Sequence, residues 1–437
     1  MGSEFSFEDL ASFEIAKYSY KFIKEEACSM GTCFVVEQYP TDKNSGYTKR
    51  IVWVDKAEYR MLKTAFYDRK NSLLKTLSAV DYQQYKGADI IRVPLVPRGK
   101  GTWRLALNYL SFALFSCVFG PWMLRKKRID VIFTYQLSPV TIGLTAILMG
   151  RIKRAPVVFW VLDLWPETLS AVGIIKLDWM LSLVGQLVRF IYQRCTLVLG
   201  QSQGFLKSMA NYTSNVEKLR YFPSWAEDGF GKSVSQLAPE IPIRDGVFNV
   251  VFAGNVGEAQ DFPAIVRAAH ILKDNERIRW VVIGDGSMMN WLRNEVFKMG
   301  LDNNFLILGC FPLERMPSFY AHAGALLVSL KKDPIFSMTI PGKVQSYLMV
   351  GMPILALLDG EGARVISEAN AGYVQSSGNS RGLAESVLMM SKLSTKDRKQ
   401  FGSNGRTYAQ REFSRTVAMK RLETLFQEAL DIDKLKI

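Results

Sequence analysis

The sequence of 437 residues contains very little histidine and cysteine. Its two histidines, His270 and His322, lie in segments with a helical pattern, where structural roles are common. The five cysteines are odd in number and show no repeated metal-ligand spacing, so we expect free thiols, Cys28 and Cys33 included, in a reducing compartment. The sequence therefore predicts no metal site and no acid–base chemistry by histidine.

Internal repeats, low-complexity tracts and the motifs of nucleic-acid readers are also missing from the sequence. Hydrophobic residues make up 48% and charged residues 22%, which is typical of folded domains. A chain of this length exceeds the size at which one hydrophobic core keeps growing, so two domains are expected.

Positive charge is present in excess and is concentrated in one region. The net charge is +14, and between Arg98 and Arg154 Asp130 is the sole acid. The basic residues flank residues 105–124, an uncharged stretch barely long enough to cross a membrane. We interpret it as a helix pressed into an anionic membrane surface, the alternatives being an ordinary covered helix and, less favoured, a spanning one. The basic candidates for this contact are Arg104, Arg125, Lys126, Lys127 and Arg128.

Strand-like apolar runs alternate with helical runs along most of the chain, from CFVVEQ (33–38) and RIVWV (50–54) to PILALL (353–358). Nearly continuous apolar strands are typical of parallel sheets covered by helices on both faces. The predicted fold class is therefore α/β, with two doubly wound domains. The pattern of residues 6–27 predicts an amphipathic helix before the first run. The predicted domains are residues 1–225 and 247–410, joined by a linker at 226–246 and followed by a C-terminal helix at 411–437.

Two glycine-containing turns follow strands of the second domain. FAGNVG places Gly254, Asn255 and Gly257 after one strand, and GDG places Gly284 and Gly286 after the next. Glycine lets backbone amides approach a diphosphate, and the helix that follows presents its N-terminus to negative charge. Plain strand-to-helix turns are the alternative interpretation.

The segment TIPGKVQSYLMVGMPILAL carries a cation at a helix start. Pro341 and Gly342 lead into a helix whose first turn holds Lys343, so an ammonium group and free backbone amides share one place. This arrangement suits an anionic ligand, although a solvated lysine would give the same pattern.

In the first domain, VLDLWPETL places acidic and aromatic residues at the end of a strand. Asp163 and Glu167 are the candidate catalytic carboxylates, and Trp165 offers an apolar plane for a sugar or a lipid. Alternatively, Asp163 caps the following helix and Glu167 favours its dipole.

These motifs resemble a known family. FAGN, GDG, KVQSYLMVGMPIL and ANAGYV are similar to the nucleotide-sugar-binding domain of retaining GT-B glycosyltransferases of family 4. VLDLWPETLSAVG and RLALNYLSFAL resemble the bacterial branch that acts in O-antigen and capsule assembly, which includes L-fucosamine (N-acetyl-fucosamine) transferases.

The resemblance implies two Rossmann-like domains facing a cleft, with a nucleoside-diphosphate sugar in the second and an acceptor in the first. It implies metal-independent transfer with retention, without a bound cofactor. The expected transfer moves an N-acetylated hexosamine or deoxyhexosamine, with UDP as the expected carrier, to a polyprenyl-diphosphate-linked glycan. It further implies a cytoplasmic protein, peripheral on the inner face of the bacterial membrane. The alternatives are a nucleotide-sugar epimerase of similar architecture and a non-catalytic, membrane-docked binding subunit.

The sequence departs from the wider family at two positions. Met338 and Ser346 stand where many members carry two glutamates. We therefore expect Gln345 and Ser346 to bind donor hydroxyls, and Glu361 or, alternatively, Glu368 to supply a carboxylate. Since the first-domain histidine of the wider family is also missing, Asp163 becomes the leading catalytic candidate.

Overall fold

The computed structural model describes residues 18–28, 31–41, 45, 47–56, 61–68, 71–78, 91–97, 102–171, 177–227 and 236–435. The chain divides into two compact units, residues 1–92 with 96–104 and residues 93–95 with 105–437. The first unit contains an antiparallel sheet, and the second contains two parallel sheets.

The first unit holds a five-stranded sheet in sequential order. Its strands are β1 (Tyr18–Cys28), β2 (Gly31–Pro40), β3 (Lys49–Asp55), β4 (Met61–Tyr67) and β5 (Leu73–Ser78). All neighbours pair antiparallel. Alternating residues of β2 and β3 are buried, with Cys33, Val35 and Val52 at most 2% exposed. This alternation is expected for an antiparallel sheet with one face packed and the other facing solvent.

Three sequence-based expectations for this region are wrong. Residues 18–27 form a strand instead of the second half of a helix, because β2 supplies backbone partners along all of β1; residues 6–17 lie outside the described residues. The runs at 33–38 and 50–54 are strands, but antiparallel ones, since the connection from Pro40 to Lys49 is too short for the crossover that parallel pairing needs. The predicted span 1–225 therefore contains this sheet as well as a Rossmann-like domain.

The third correction concerns the thiols of the first hairpin. Cys28 and Cys33 form a disulfide, with their Cα atoms 5.9 Å apart. The antiparallel register places Cys28 opposite Gly31 and Cys33 opposite Glu26, so the two side chains lie near each other at the turn. The expectation of free thiols rested on the odd number of cysteines, which does not exclude a single bridge.

The first Rossmann-like domain has four parallel strands in sequential order. They are β6 (Ile132–Gln136), β7 (Val157–Val161), β8 (Leu197–Gly200) and β9 (Leu219–Tyr221). The helices are α1 (Thr102–Met123), α2 (Ile142–Lys153), α3 (Glu167–Ala171), α4 (Asp178–Arg194) and α5 (Gln203–Met209). Every residue of β7 and β8 is buried, as expected for strands covered on both faces.

The second Rossmann-like domain has six parallel strands in the order β12-β11-β10-β13-β14-β15. The strands are β10 (Phe248–Ala253), β11 (Ile278–Ile283), β12 (Phe305–Gly309), β13 (Ala325–Ser329), β14 (Ile354–Leu357) and β15 (Gly372–Gln375). The strand order reverses between β10 and β13, and in such sheets ligands bind beyond the carboxyl ends of the strands at this point.

Nine helices follow in the described part of this half. They are α6 (Phe262–Ile271), α7 (Met289–Lys298), α8 (Met316–Tyr320), α9 (Pro334–Met338), α10 (Gly342–Val350), α11 (Glu361–Glu368), α12 (Ser380–Lys392), α13 (Thr395–Glu412) and α14 (Arg415–Lys434). The last helix returns to the first Rossmann-like domain, where Leu425 and Ala429 join its core and the rings of Phe426 and Phe133 lie 5.5 Å apart.

A substitution at Gly372 tests the packing of the sheet in the second Rossmann-like domain. A Cβ atom there would lie 1.8 Å from the carbonyl oxygen of Ile354, so Gly372→Ala should destabilise the protein by about 2 kcal/mol or more. Gly300→Ala is the control, since its Cβ would meet nothing within 4 Å and only its φ of +65° adds strain, of about 1 kcal/mol. Urea unfolding followed by tryptophan fluorescence compares the two, and equal midpoints would contradict the expected clash.

Candidate functional site

The two glycine turns predicted from the sequence meet at the carboxyl ends of β10 and β11. Gly254 has a φ of +128° and Gly284 a φ of +139°, values that favour glycine. A Cβ atom on Gly284 would lie 1.9 Å from the carbonyl oxygen of Gly254. The two turns could therefore not approach so closely if residue 284 carried a side chain.

The side chain of Asn255 lies between the remaining glycines of these turns. A Cβ atom on Gly257 would be 2.6 Å from its Nδ2 atom, and a Cβ atom on Gly286 would be 2.6 Å from its Oδ1 atom. The five residues predicted from the glycine motifs therefore lie together at one edge of the sheet.

Lys343 lies against the same turn. A Cβ atom on Gly254 would be 3.0 Å from the Nζ atom of Lys343, and that Nζ atom is 3.6 Å from the ring centroid of Phe252. The ammonium group is buried and has no hydrogen-bond partner. Burial lowers the pKa of Lys343 from its ordinary value of 10.5 to about 7. A buried cation without a counter-charge is costly, and an anion beside it would remove that cost.

Tyr347 positions this lysine, and the sequence analysis missed it. Its hydroxyl group accepts a hydrogen bond from the amide of Ala253 at 3.1 Å and donates one to the carbonyl of Ala253 at 3.2 Å. These bonds fix α10 against the end of β10, one turn after Lys343. An aromatic residue at a core position of a helix gave no signal of this role in the sequence.

The other predicted donor ligands of this region have different surroundings. The buried Gln345 donates from Nε2 to the carbonyl of Ser224 at 2.9 Å, so its amide group ties α10 to the segment after β9. Ser346, one position on, is half-buried. Glu361 begins α11 and binds Arg364 at 2.8 Å, and the same guanidinium binds Glu368 at 2.6 Å.

Met338 occupies the position of the first missing glutamate and contacts the first Rossmann-like domain. Its carbonyl oxygen accepts a hydrogen bond from the hydroxyl of Ser202. Ile335 and Phe336 of the same helix, α9, pack with the core of that domain. A carboxylate at position 338 would therefore lie beside an apolar cluster, where its charge would be costly.

Asp163 follows β7, and two glutamines hold the backbone around it. Gln136, the last residue of β6, donates from Nε2 to the carbonyl of Asp163 at 3.2 Å. Gln201, just after β8, donates from Nε2 to the carbonyl of Leu162 at 3.1 Å. Because β7 lies between β6 and β8, the loop is fixed from both sides. The Oε1 atom of Gln136 is buried without a hydrogen-bond partner.

The carboxylate of Asp163 accepts a hydrogen bond from the indole Nε1 of Trp165 at 3.0 Å. Its hydrogen bond therefore goes to an indole, whereas the helix-cap alternative requires a bond to a backbone amide of α3. Trp165 itself is 8% exposed and packs in the domain core, 6.3 Å from the ring of Tyr109. The prediction that Trp165 presents an open plane to a ligand is wrong, since burial of its ring stabilises the loop instead.

Glu167, the second catalytic candidate, bonds to residues of its own domain. Its Oε1 atom accepts hydrogen bonds from Ser208 at 2.7 Å and from Tyr212 at 3.3 Å. Burial, together with the charge and hydrogen bond of Glu167, raises the pKa of Tyr212 to about 12. The Oε2 atom of Glu167 is buried and has no partner. Both carboxylates thus lie at the carboxyl end of the first parallel sheet.

One of the two histidines, His322, has the structural surroundings that its sequence context indicated. The Nε2 atom of His322 lies 2.9 Å from the carbonyl oxygen of Ala238, and burial lowers the pKa of His322. His270 is exposed on α6. In the described part of the chain, no group of three or more His, Cys, Asp or Glu side chains is arranged to hold a metal ion.

Helix α1 buries polar residues and exposes large apolar ones, the reverse of an ordinary surface helix. Its buried positions include Asn108, Ser111 and Ser116, and Ser116 lies 2.6 Å from the hydroxyl of Thr145 on α2. Large apolar side chains instead occupy the exposed face at helical spacing: Trp103, Leu107, Leu110, Leu114, Val118 and Trp122 are 41–66% exposed. In the described residues, α1 is the one helix long and apolar enough to cross a membrane, and 22% of its apolar window is buried.

Cations flank this exposed face at both ends. The guanidinium of Arg104 lies 5.4 Å from the ring centroid of Trp103, and that of Arg125 lies 5.0 Å from the ring centroid of Trp122. Lys153 donates to the carbonyls of residues 124, 125 and 127, which fixes the turn that follows α1. Lys126, Lys127 and Arg128 are exposed on that turn, and Arg128 binds Asp130 at 3.1 Å.

Comparison with known proteins gives matches for both ends of the chain. Residues 1–95 match the model of a family described as an uncharacterized protein. Residues 235–408 match the model of the family glycosyl transferases group 1. The second match covers the sheet, the glycine turns and Lys343.

Two curated relatives are identical to this chain at about a fifth of the aligned residues. One is WcaI of Escherichia coli (strain K12), whose name assigns it to glycosyl transfer in colanic acid biosynthesis. It is 23% identical over 312 residues, which cover 67% of this chain and 74% of WcaI. The other is the alpha-monoglucosyldiacylglycerol synthase of Streptococcus pneumoniae (strain ATCC BAA-255 / R6), 22% identical over 275 residues and 60% of each chain.

Among solved structures, Anabaena Alr3699/HepE in complex with UDP and glucose has a TM-score of 0.54, with 15% identity, over 70% of this chain and 80% of that one. At this identity the likeness shows the fold. The two parallel sheets of the second unit are consistent with the two Rossmann-like domains of that fold. The two Rossmann-like domains of this chain form a GT-B fold, and residues 235–408 match the family model of the glycosyl transferases group 1.

Proposed function

We propose that this protein is a retaining, metal-independent glycosyltransferase similar to family 4. It transfers an N-acetylated hexosamine or deoxyhexosamine from a nucleoside-diphosphate sugar, with UDP as the expected carrier, to a polyprenyl-diphosphate-linked glycan of the bacterial surface. The observation that carries this proposal is the buried, unpaired ammonium of Lys343 beside the glycine turn at Gly254.

The donor chemistry follows from that arrangement. Breaking the glycosidic bond leaves negative charge on the nucleoside diphosphate, and the rate depends on groups already aimed at that charge. Lys343 supplies a cation, and the first turn of α10 supplies free backbone amides at the same place. These groups could neutralise the leaving diphosphate in the way that a divalent cation does in other enzymes.

The acceptor chemistry is assigned to the first Rossmann-like domain. Asp163 is held at the carboxyl end of β7, where its carboxylate could orient the acceptor hydroxyl or stabilise positive charge at the anomeric carbon. Glu167 stays the second candidate through its unpaired Oε2 atom. The relatives support the reaction class, because both are named for the transfer or synthesis of glycosyl products.

The membrane is the proposed location of the acceptor. The exposed apolar face of α1, with cations at both ends, suits the headgroup region of an anionic bilayer. One face of α1 is bonded to α2, so we infer that the helix lies in the plane of the surface. The protein would then be peripheral on the cytoplasmic face, with its acceptor domain next to lipid-linked substrates.

Lys343→Met tests the diphosphate role. The variant should bind UDP at least about tenfold more weakly, since it removes a charge-assisted contact, and should bind uridine nearly unchanged. Because the unliganded lysine has a pKa of about 7, the affinity of the original protein for UDP should also fall between pH 7 and pH 9, and that of the variant should not. Calorimetric titration measures both effects, and equal loss of UDP and uridine would contradict the phosphate role.

The same lysine predicts a pH dependence of stability. Its folded-state pKa is lowered, so the unfolded chain binds more protons, and the unliganded protein should gain about 2 kcal/mol between pH 7 and pH 9. Lys343→Met should remove that part of the gain. Urea unfolding of both proteins at the two pH values isolates the contribution, and parallel stability curves would refute it.

Asp163→Asn tests the acceptor role. The amide can still accept the bond from Trp165, so the fold should persist, while transfer should fall by about a hundredfold or more. UDP binding should stay within a factor of about two, because the site of Lys343 is on the other domain. Transfer is measured with a radiolabelled donor and membrane extract, with Asp178→Asn on the exposed start of α4 as control. Activity within a few-fold of the original protein would exclude a catalytic role for Asp163.

Replacing two leucines tests membrane docking. Leu110→Ser with Leu114→Ser removes two side chains that are 63% and 61% exposed, so the folded core should be unaffected while vesicle binding weakens about tenfold or more. Phe297→Ser, at a residue 77% exposed on α7, is the control. Flotation with vesicles rich in phosphatidylglycerol is the measurement. Unchanged binding of the double variant would show that α1 does not dock.

A further inference from the structure

A cavity lies at the end of the donor-domain sheet opposite the glycine turns. It has a volume of about 610 Å³ and is lined by residues at the amino-terminal ends of β11 and β12 and by residues 242–247, before β10. Gly254 lies six positions beyond Phe248, the first residue of β10, so the cavity is roughly 20 Å from the glycine turns. Its volume is in the range of sites for small metabolites.

Arg279 forms the buried part of this cavity. It is 5% exposed, its Nε atom donates to Oδ1 of Asn249 at 2.8 Å, and its Nη2 atom donates to the carbonyl of Pro242 at 2.8 Å. Both partners are neutral, and none of the ion pairs between described residues involves Arg279. A buried guanidinium with only neutral partners is costly to the folded state.

A second guanidinium lies close enough to repel the first. Burial, followed by the positive charge of Arg244, lowers the pKa of Arg279. Arg244 is exposed and lines the same cavity, as does the exposed Arg277. An anion between Arg279 and Arg244 would offset both the burial and the repulsion, and the planar guanidinium groups match the oxygens of a phosphate.

The rest of the lining is polar and carries groups that bind hydroxyls. Asp245, Glu276 and Asp302 provide exposed carboxylates, and Asn303 provides an amide. These acids balance the formal charge of the three arginines, so the cavity suits a ligand that carries hydroxyl groups as well as an anion. A simple inorganic anion would use only part of the volume.

We propose that this cavity is a second ligand site, separate from the donor site, which takes a sugar phosphate with its phosphate between Arg279 and Arg244. The ligand also contacts the segment that links the two Rossmann-like domains. That segment is fixed by the bond from Arg279 to Pro242 and by the bidentate bonds from Arg315 to Glu240 at 2.7 and 2.9 Å. The proposal does not depend on the transferase activity.

Calorimetric titration of the full-length protein tests the site. Circular dichroism first shows that the sample is folded, and UDP is then added in excess, so that any site that takes UDP is occupied. Glucose 1-phosphate should then bind, glucose should not, and inorganic phosphate should bind more weakly than glucose 1-phosphate. Arg244→Ala should lower the affinity for glucose 1-phosphate by about tenfold or more, since it removes a charged partner at the surface without opening the core. Arg293→Ala, at an exposed arginine of α7, should leave the affinity unchanged.

Three results would overturn the proposal. Glucose 1-phosphate that gives no binding in UDP-saturated protein would exclude the site, as would binding that Arg244→Ala leaves unchanged. Equal binding of inorganic phosphate would exclude the sugar as part of the ligand. Since UDP binding is measured separately, loss of the donor site and loss of this site remain distinguishable. Arg279→Lys is a second variant. It keeps the buried charge but should still weaken the binding of glucose 1-phosphate, because it removes the planar guanidinium group.

Discussion

The close approach of two backbone turns, at Gly254 and Gly284, is the constraint on which the donor-binding half of the molecule depends. The ends of β10 and β11 come together because Gly284 has no side chain. A Cβ atom there would collide with the carbonyl oxygen of Gly254. The space beside Gly254 is filled by the side chain of Lys343, and Tyr347 holds the helix that carries it. The buried ammonium group is therefore a product of this packing, and the fold bears its cost in the absence of an anion.

The first Rossmann-like domain follows a different principle. Its interior positions the loop after β7 through glutamine side chains that bind backbone carbonyls, while the helix α1 places its polar residues inside and its apolar residues outside. Large exposed apolar faces are typical of surfaces that bind a partner or a membrane. The proposed docking of α1 on a bilayer would account for a polar contact between Ser116 and Thr145 inside and an exposed face of leucines and tryptophans outside.

The limits of sequence reasoning are clearest in residues 18–55. A run of residues with helical spacing became a strand, and two thiols judged free became a disulfide, because β2 was available as a pairing partner. The periodicity of one segment does not show whether a neighbouring segment pairs with it as a strand. The short connection between Pro40 and Lys49 was a signal in the sequence that excluded parallel pairing there, and it carried more information than the apolar runs themselves.

The sequence by itself determined the α/β class of residues 132–375, the glycine turns and the cation at the start of α10, because strand periodicity, glycine and helix-start residues are local properties. Only the tertiary structure decided which side chains are free to act. Trp165 and Gln345 look available in the sequence, yet one packs in a core and the other bonds to Ser224, while Gln136, Tyr347 and Arg279 gave no signal. The reason is that burial and hydrogen-bond partners depend on neighbours distant in the chain, which residue type and spacing do not specify.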